Sequence, residues 1–163
     1  MSEKTILLAD DDPGHVALFR RALAQSGVPC RIDVVHDGVE AIEYLFQTGR
    51  YRDRTPTGMP ALILLDLKMP QMDGRQVLQI LRRVRGEDRN RFPPIVVLTS
   101  SEDHNDIADA YRLGAQSYIH KPMEFTQFAQ TVRETIHYWL GLNQPAPSQH
   151  PAKSYVHEGF GEA

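Results

Sequence analysis

The sequence predicts an α/β protein built on a doubly wound, five-stranded parallel sheet, and three observations carry that prediction. Three apolar runs, Thr5-Ile6-Leu7-Leu8-Ala9, Ala61-Leu62-Ile63-Leu64-Leu65 and Ile95-Val96-Val97-Leu98, are continuous rather than alternating and are closed by polar residues. Strands buried on both faces of a parallel sheet read this way. Two weaker segments, Arg31–His36 and Ser117–His120, alternate in part or are brief, which suits the two edges of the sheet. Helical patterns separate the runs, so strand and helix alternate along the chain.

Each helix has its own signature. Val16, Phe19 and Leu23 stand at i, i+3 and i+7 ahead of Gly27, a stop signal. Ala41, Ile42, Leu45 and Phe46 follow Asp37-Gly38, and Val77, Leu78, Leu81 and Val84 follow Asp73-Gly74. Ile107, Ala110 and Tyr111 precede Leu113-Gly114, where a helix ends. The most regular stripe is Phe125, Phe128, Ala129, Val132, Ile136 and Trp139. Residues 49–60, with three Arg, two Pro and two Gly, read as an exposed loop. The end of the chain is rich in Pro, Gly, Ser and His and reads as a flexible tail.

Composition narrows the function classes. The chain has 163 residues, 41% apolar and 24% charged, enough for one compact domain with a short appendage. A net charge of −3 argues against coating nucleic acid or an anionic membrane. The basic residues Arg82, Arg83, Arg85, Arg89 and Arg91 read as a solvated face. Cys30 is the only cysteine, so an intrachain disulfide is excluded and a Cys-based zinc site is not expected. No apolar run approaches the roughly 20 residues of a membrane span, and the N-terminus does not resemble a signal peptide. A soluble, cytoplasmic protein is expected.

In an open parallel sheet, ligands gather beyond the carboxyl ends of the strands. The first strand is followed by Asp10-Asp11-Asp12, the third by Asp66, the fourth by Thr99-Ser100-Ser101 and the fifth by Lys121-Pro122. Carboxylates, a hydroxyl and an ammonium group therefore converge on one rim. Adjacent carboxylates repel unless a cation shares them, and hard oxygen ligands suit Mg²⁺, with Mn²⁺ able to substitute. A lone Asp among them can attack a phosphoryl group. Phosphoryl transfer is mainly positioning and charge neutralisation: the metal takes one phosphoryl oxygen, Lys121 a second and the Thr99 hydroxyl a third.

This set resembles the receiver domain of two-component response regulators. The residues that carry the resemblance are Ile6-Leu7-Leu8-Ala9-Asp10-Asp11-Asp12, Leu64 through Gly74 with its D-x-x-M-P-x-x-D-G string, Val97-Leu98-Thr99-Ser100 and Tyr118-Ile119-His120-Lys121-Pro122. It covers residues 4–140, leaving 141–163 as the tail without a separate output domain. The resemblance implies a flavodoxin-like (βα)5 fold with strand order 2-1-3-4-5. It implies that Asp66 is phosphorylated by a sensor histidine kinase, and that Asp11, Asp10, Asp66 and the backbone carbonyl of Lys68 hold the metal. Lys121 would bind the phosphoryl group, Thr99 would move toward it, Tyr118 would rotate inward behind Thr99, and Pro122 would follow a cis peptide bond. Such a domain accepts and hydrolyses its own phosphoryl group but is not a metabolic enzyme. Lys68 or Ser101 is expected to set the lifetime of the aspartyl phosphate. The role of Asp12 is open.

The 49–60 insertion, the Leu-Leu-Asp-Leu-Lys-Met-Pro string and the His137-Tyr138-Trp139-Leu140 ending further resemble stand-alone regulators paired with phytochrome-type kinases. A downstream protein partner is implied, or a homodimer through the face of the fourth helix, fifth strand and fifth helix. The alternative is a Mg²⁺-dependent phosphatase or phosphotransferase of the haloacid-dehalogenase type, which also uses an Asp nucleophile. Asp10-Asp11-Asp12-Pro13 supplies D-x-D, but the Thr or Val of that motif is missing.

Overall fold

The computed structural model describes residues 3–54 and 58–147. Strands and helices alternate as β1 (Lys4–Ala9), α1 (Pro13–Ser26), β2 (Cys30–Val35), α2 (Gly38–Phe46), β3 (Leu62–Leu65), α3 (Gly74–Arg85), β4 (Ile95–Thr99), α4 (His104–Arg112), β5 (Ser117–His120) and α5 (Phe125–Ile136). All strand pairs are parallel and the sheet order is β2-β1-β3-β4-β5. The three continuous apolar runs are the three inner strands, and the two weaker segments are the edges, as their patterns predict.

Pleating divides the inner strands between two cores. Leu7, Ala9, Ile63, Leu65 and Val97 face α2, α3 and α4, while Ile6, Leu8, Leu62, Leu64, Val96 and Leu98 face α1 and α5. Truncating such a fully buried leucine to alanine costs about 2–5 kcal/mol. Both sides of each inner strand are buried from Ile6, Leu62 and Ile95 onward, which is why apolar residues follow one another there without alternation.

Each of α1 to α5 begins on an acidic cap. Asp12, Asp37, Asp73, Asp103 and Glu124 accept backbone N–H groups at the starts of α1 to α5. At α3 the arrangement is reciprocal, with Asp73 and Gln76 forming a capping box. At its other end α1 stops at Gly27, whose φ of 73° is left-handed. A good share of the acidic residues therefore serve helix starts rather than chemistry.

Two expectations need correction. Residues 49–60 are not simply an exposed loop: Gly49–Tyr51 form a turn of 3₁₀ helix folded back on α2. Tyr51 donates its hydroxyl to the buried Glu40, and the Arg54 guanidinium lies 4.0 Å over the ring of Tyr44. Tyr44 in turn donates to Asp33 of the edge strand β2. Aromatic rings and buried carboxylates supply partners that composition does not reveal.

The last helix also runs past residue 140. His137–Leu142 continue it as a π-helical segment, Leu140 is buried, and its carbonyl accepts the ammonium of Lys4 at 2.6 Å. Of the tail expected at 141–163, residues 148–163 lie outside the described residues. Among the described residues no helix is long and apolar enough to cross a membrane.

Candidate functional site

The strand register brings the site together. Ala9 lies beside Val35 and Leu65, so the carboxyl ends of β1, β2 and β3 are level, while Leu65 lies beside Val97 and β4 runs two residues further to Thr99. Asp10 and Asp66 each follow the last residue of their strand, and both are buried. Their backbones are tied as well, Asp10 N–H to the Val35 carbonyl at 3.0 Å and Asp66 N–H to the Ala9 carbonyl at 2.9 Å.

Lys121, just past β5, reaches across this rim. Its side chain is 3% exposed, and its ammonium donates to Asp10 Oδ2 at 2.6 Å and Asp66 Oδ2 at 2.8 Å. Burial pulls its pKa down, but the bonds to the two carboxylates and their charges outweigh burial and raise it above the ordinary lysine value. The amine is therefore a fixed cation between two anions. The other Asp10 oxygen accepts the Asp12 N–H at 2.9 Å, and Asp66 Oδ1 accepts the Lys68 N–H at 3.3 Å.

Asp11 is exposed and completes the acidic set. One carboxylate oxygen from each of Asp10, Asp11 and Asp66 lies within 4.8 Å of the others. Three hard oxygen donors, one open to water, fit Mg²⁺ or Mn²⁺, which keep several waters and tolerate few protein ligands. A soft or fully enclosed site would look different, with sulfur or imidazole ligands and no open side.

The loop after Asp66 is shaped by two glycine positions. Gly74 N–H donates to the Leu67 carbonyl at 2.9 Å, and a Cβ on Gly74 would overlap the Asp66 carbonyl oxygen. Gly38 at the start of α2 meets the Met72 carbonyl in the same manner. The Asp-Gly pairs that open α2 and α3 thus combine a cap with a close backbone approach, and both bear on the segment that carries Asp66.

The remaining expected residues are distributed around this centre. Thr99, at the end of β4, is fully buried, and its Oγ1 accepts the Ser101 N–H at 3.5 Å. The Lys121 N–H donates to the Thr99 carbonyl at 2.7 Å, which joins the two strand ends. Tyr118 is not in the carboxylate cluster. Its ring packs on the α2–α3–α4 side of the sheet, and its hydroxyl donates to the Ser101 carbonyl at 2.8 Å. Burial raises the Tyr118 pKa, helped by the charges of Asp106, Asp103 and Asp66. Ser101 is itself committed, donating to Asp106 at 2.6 Å and accepting the Asp103 N–H at 3.3 Å.

The cis bond expected before Pro122 is a correction. The described residues contain no cis peptide bond. Trans is the lower-energy form of an X–Pro bond by about 0.5–1 kcal/mol, and from a trans backbone the Lys121 ammonium already reaches both carboxylates.

Two residues gain roles that the sequence left open. Asp12 is the cap of α1, accepting from Gly14 N–H at 2.8 Å and His15 N–H at 3.2 Å. The His15 N–H bond leads in holding its carboxyl below the usual range, with Gly14 N–H and nearby positive charge adding to it against the opposing effect of burial. His15 is the residue that sequence reasoning passed over, and its Nδ1 lies 3.0 Å from the Lys121 ammonium. The available signal was its place one helical turn after the acidic run.

Comparison with known proteins settles the kinship. The response regulator receiver domain family matches residues 6–133. The chain belongs to that family. The probable methanogenesis regulatory protein FilR2 of Methanothrix harundinacea is 38% identical over 144 residues, covering 88% of each chain. Response regulator Rcp1 of Synechocystis is 32% identical over 137 residues, 84% of this chain and 89% of the relative.

Among solved structures, the phosphorylated cyanobacterial phytochrome response regulator RcpA is 36% identical with a TM-score of 0.77, covering 88% of this chain and 98% of that one. The Mn²⁺-bound form of Rcp1 has the same TM-score at 30% identity and covers 88% and 99%. As a receiver-family member the chain is a phosphorylation-dependent signalling protein, not a metabolic enzyme. The dehalogenase-type alternative falls away with the family match.

Proposed function

We propose that this receiver accepts a phosphoryl group on Asp66 from a sensor histidine kinase of phytochrome type. The observation that carries the reading is the Lys121 ammonium held between Asp10 and Asp66, with Asp11 on the open side. The kinase type is supported by the likeness to RcpA, named as a phytochrome response regulator.

In the reaction an Asp66 carboxylate oxygen attacks phosphorus. A new O–P bond forms as the P–N bond to the donor histidine breaks, and the imidazole nitrogen keeps that electron pair. Asp10, Asp11, Asp66 and the Lys68 carbonyl would hold Mg²⁺ or Mn²⁺, which supplies positive charge to the phosphoryl oxygens. Lys121 supplies the fixed cation on the other side. The Thr99 hydroxyl turns to a phosphoryl oxygen, and Tyr118 follows into the space that Thr99 leaves. Because Tyr118 is bonded to the Ser101 carbonyl, its movement is felt in the β4–α4 loop.

Water attack on the acyl phosphate returns the domain to rest. The output surface in this reading is the α4–β5–α5 face, where Tyr111 is half exposed and Met123 fully so. Its occupant is a downstream protein or a second copy of the chain.

The test is phosphorylation with acetyl phosphate and with a phosphorylated histidine kinase. Asp66→Asn should take up no acid-labile, base-labile phosphoryl group. Full labelling of Asp66→Asn would remove Asp66 from the role.

A further inference from the structure

The Lys121 ammonium has three N–H donors and three protein acceptors. Two are the carboxylates of Asp10 and Asp66, at 2.6 and 2.8 Å; the third is His15 Nδ1, at 3.0 Å. An ammonium offers no acceptor, so Nδ1 must accept, and the proton of the neutral ring lies on Nε2. Asp12 Oδ2 and Asp10 Oδ2 stand farther from Nδ1, at 3.6 and 3.9 Å, outside hydrogen-bond range. The ring is held from behind by stacking on Phe128 of α5, at 6.1 Å between centroids and 22° between planes.

We propose that His15 is a positioning residue for phosphoryl transfer, a neutral third acceptor that aims the Lys121 ammonium. The inference rests on the reading of Asp66 as phosphoacceptor and deepens it. The two carboxylate anchors are unequal in permanence. Once Asp66 carries a phosphoryl group, its charge passes to the phosphoryl oxygens and Lys121 must follow. An amine tied only to Asp10 could pivot on that bond, whereas one tied to Asp10 and His15 has a single N–H left to direct, and it points at Asp66. His15 also belongs to α1 and rests on α5, so the aim of the amine depends on how those two helices pack.

Two substitutions separate positioning from packing. His15→Phe keeps a ring against Phe128 and removes the nitrogen. His15→Asn loses the ring but places an oxygen near the position of Nδ1. Both are compared with the unaltered chain for thermal unfolding, then for the rate of phosphorylation across a range of acetyl phosphate concentrations. Loss of one hydrogen bond to a charged group is worth about a factor of ten. His15→Phe should raise the half-saturating acetyl phosphate concentration by about that factor, with a smaller change in maximal rate, and His15→Asn should restore most of it.

A second readout needs no phosphorylation. In the metal-free protein, ¹⁵N NMR should show a slowly exchanging Lys121 ammonium that persists in His15→Asn and is lost in His15→Phe. If His15→Phe matches the unaltered chain within twofold and keeps the ammonium signal, or if Asn is as impaired as Phe, the role is packing and the proposal is overturned. Asp66→Asn, run alongside, separates this failure from that of the acceptor reading, since a labelled Asp66→Asn condemns the latter and leaves the NMR comparison intact.

Discussion

Gly74 lies against the backbone of Asp66 so closely that no side chain fits between them. The start of α3 can therefore cross over the segment that carries Asp66, and the Gly74 N–H bonds the Leu67 carbonyl. Gly74→Ala must push either α3 or residues 66–67 aside. Overpacking of this kind costs about 1–3 kcal/mol. The expected outcome is a lower urea midpoint together with slower phosphorylation, because the displaced backbone is that of Asp66 itself. An unchanged midpoint would show that the segment yields freely.

Asp12 is expected to behave as a cap rather than as a third metal-site acid. Asp12→Ala should lower stability by about 1 kcal/mol, the usual value of an N-cap, and Asp12→Asn should restore most of it. Because the folded carboxyl titrates below its ordinary value, its contribution is present above the unfolded pKa and disappears as pH falls through the lowered folded one. Urea unfolding at neutral pH and near pH 3 should therefore show the gap between Asp and Asn narrowing in acid. A constant gap would contradict the cap.

Tyr44 and Tyr51 should resist ionisation while the protein stays folded. Burial is the larger cause for both, followed by the bonds to Asp33 and Glu40, and the pKa values are pushed up. A group with a raised folded pKa lends stability fully below its unfolded value, here about pH 10, and loses it as pH climbs toward the folded one. Absorbance at 295 nm should show two phenols appearing only with alkaline unfolding. In Tyr51→Phe one of them should be gone.

Lys68 is exposed two residues after Asp66, while the Ser101 hydroxyl is bonded to Asp106. Of the two residues expected to tune aspartyl-phosphate lifetime, Lys68 is the one able to meet an incoming water. Lys68→Asn should change the decay rate of the phosphorylated protein by more than twofold, followed by loss of the phosphorylated band on a phosphate-affinity gel. Ser101→Ala should act mainly on the β4–α4 loop, and so on the partner-binding response rather than the decay. A decay rate within twofold for both would dissociate lifetime from this pair.

The parts of the fold that local chemistry decides were legible in the chain. Continuous apolar runs marked β1, β3 and β4 because both faces of an inner strand are buried, and Asp37-Gly38 and Asp73-Gly74 marked helix starts. The four residues Asp10, Asp66, Thr99 and Lys121 were legible for a similar reason, since each sits where a strand ends. What escaped was set by distant partners. His15 gains its meaning from Lys121, 106 positions away. Tyr51 and Arg54 were hidden in a polar, Pro- and Gly-bearing stretch and are ordered by Glu40 and Tyr44. The peptide before Pro122 was expected from kinship and not from any local force that would favour cis.

The sheet, finally, acts as a partition between two communities of residues. Ile6 and Leu8 belong with α1 and α5, Leu7 and Ala9 with α2, α3 and α4, and the two cores are separate. His15 reaches the rim from the first side, and Tyr118 packs on the second. Substitutions on opposite sides have few shared neighbours, so their effects should add. A change in the α1–α5 core can thus be made without disturbing the α2–α3–α4 core, and the reverse. Only the short rim from Asp10 to Lys121 must answer to both sides at once.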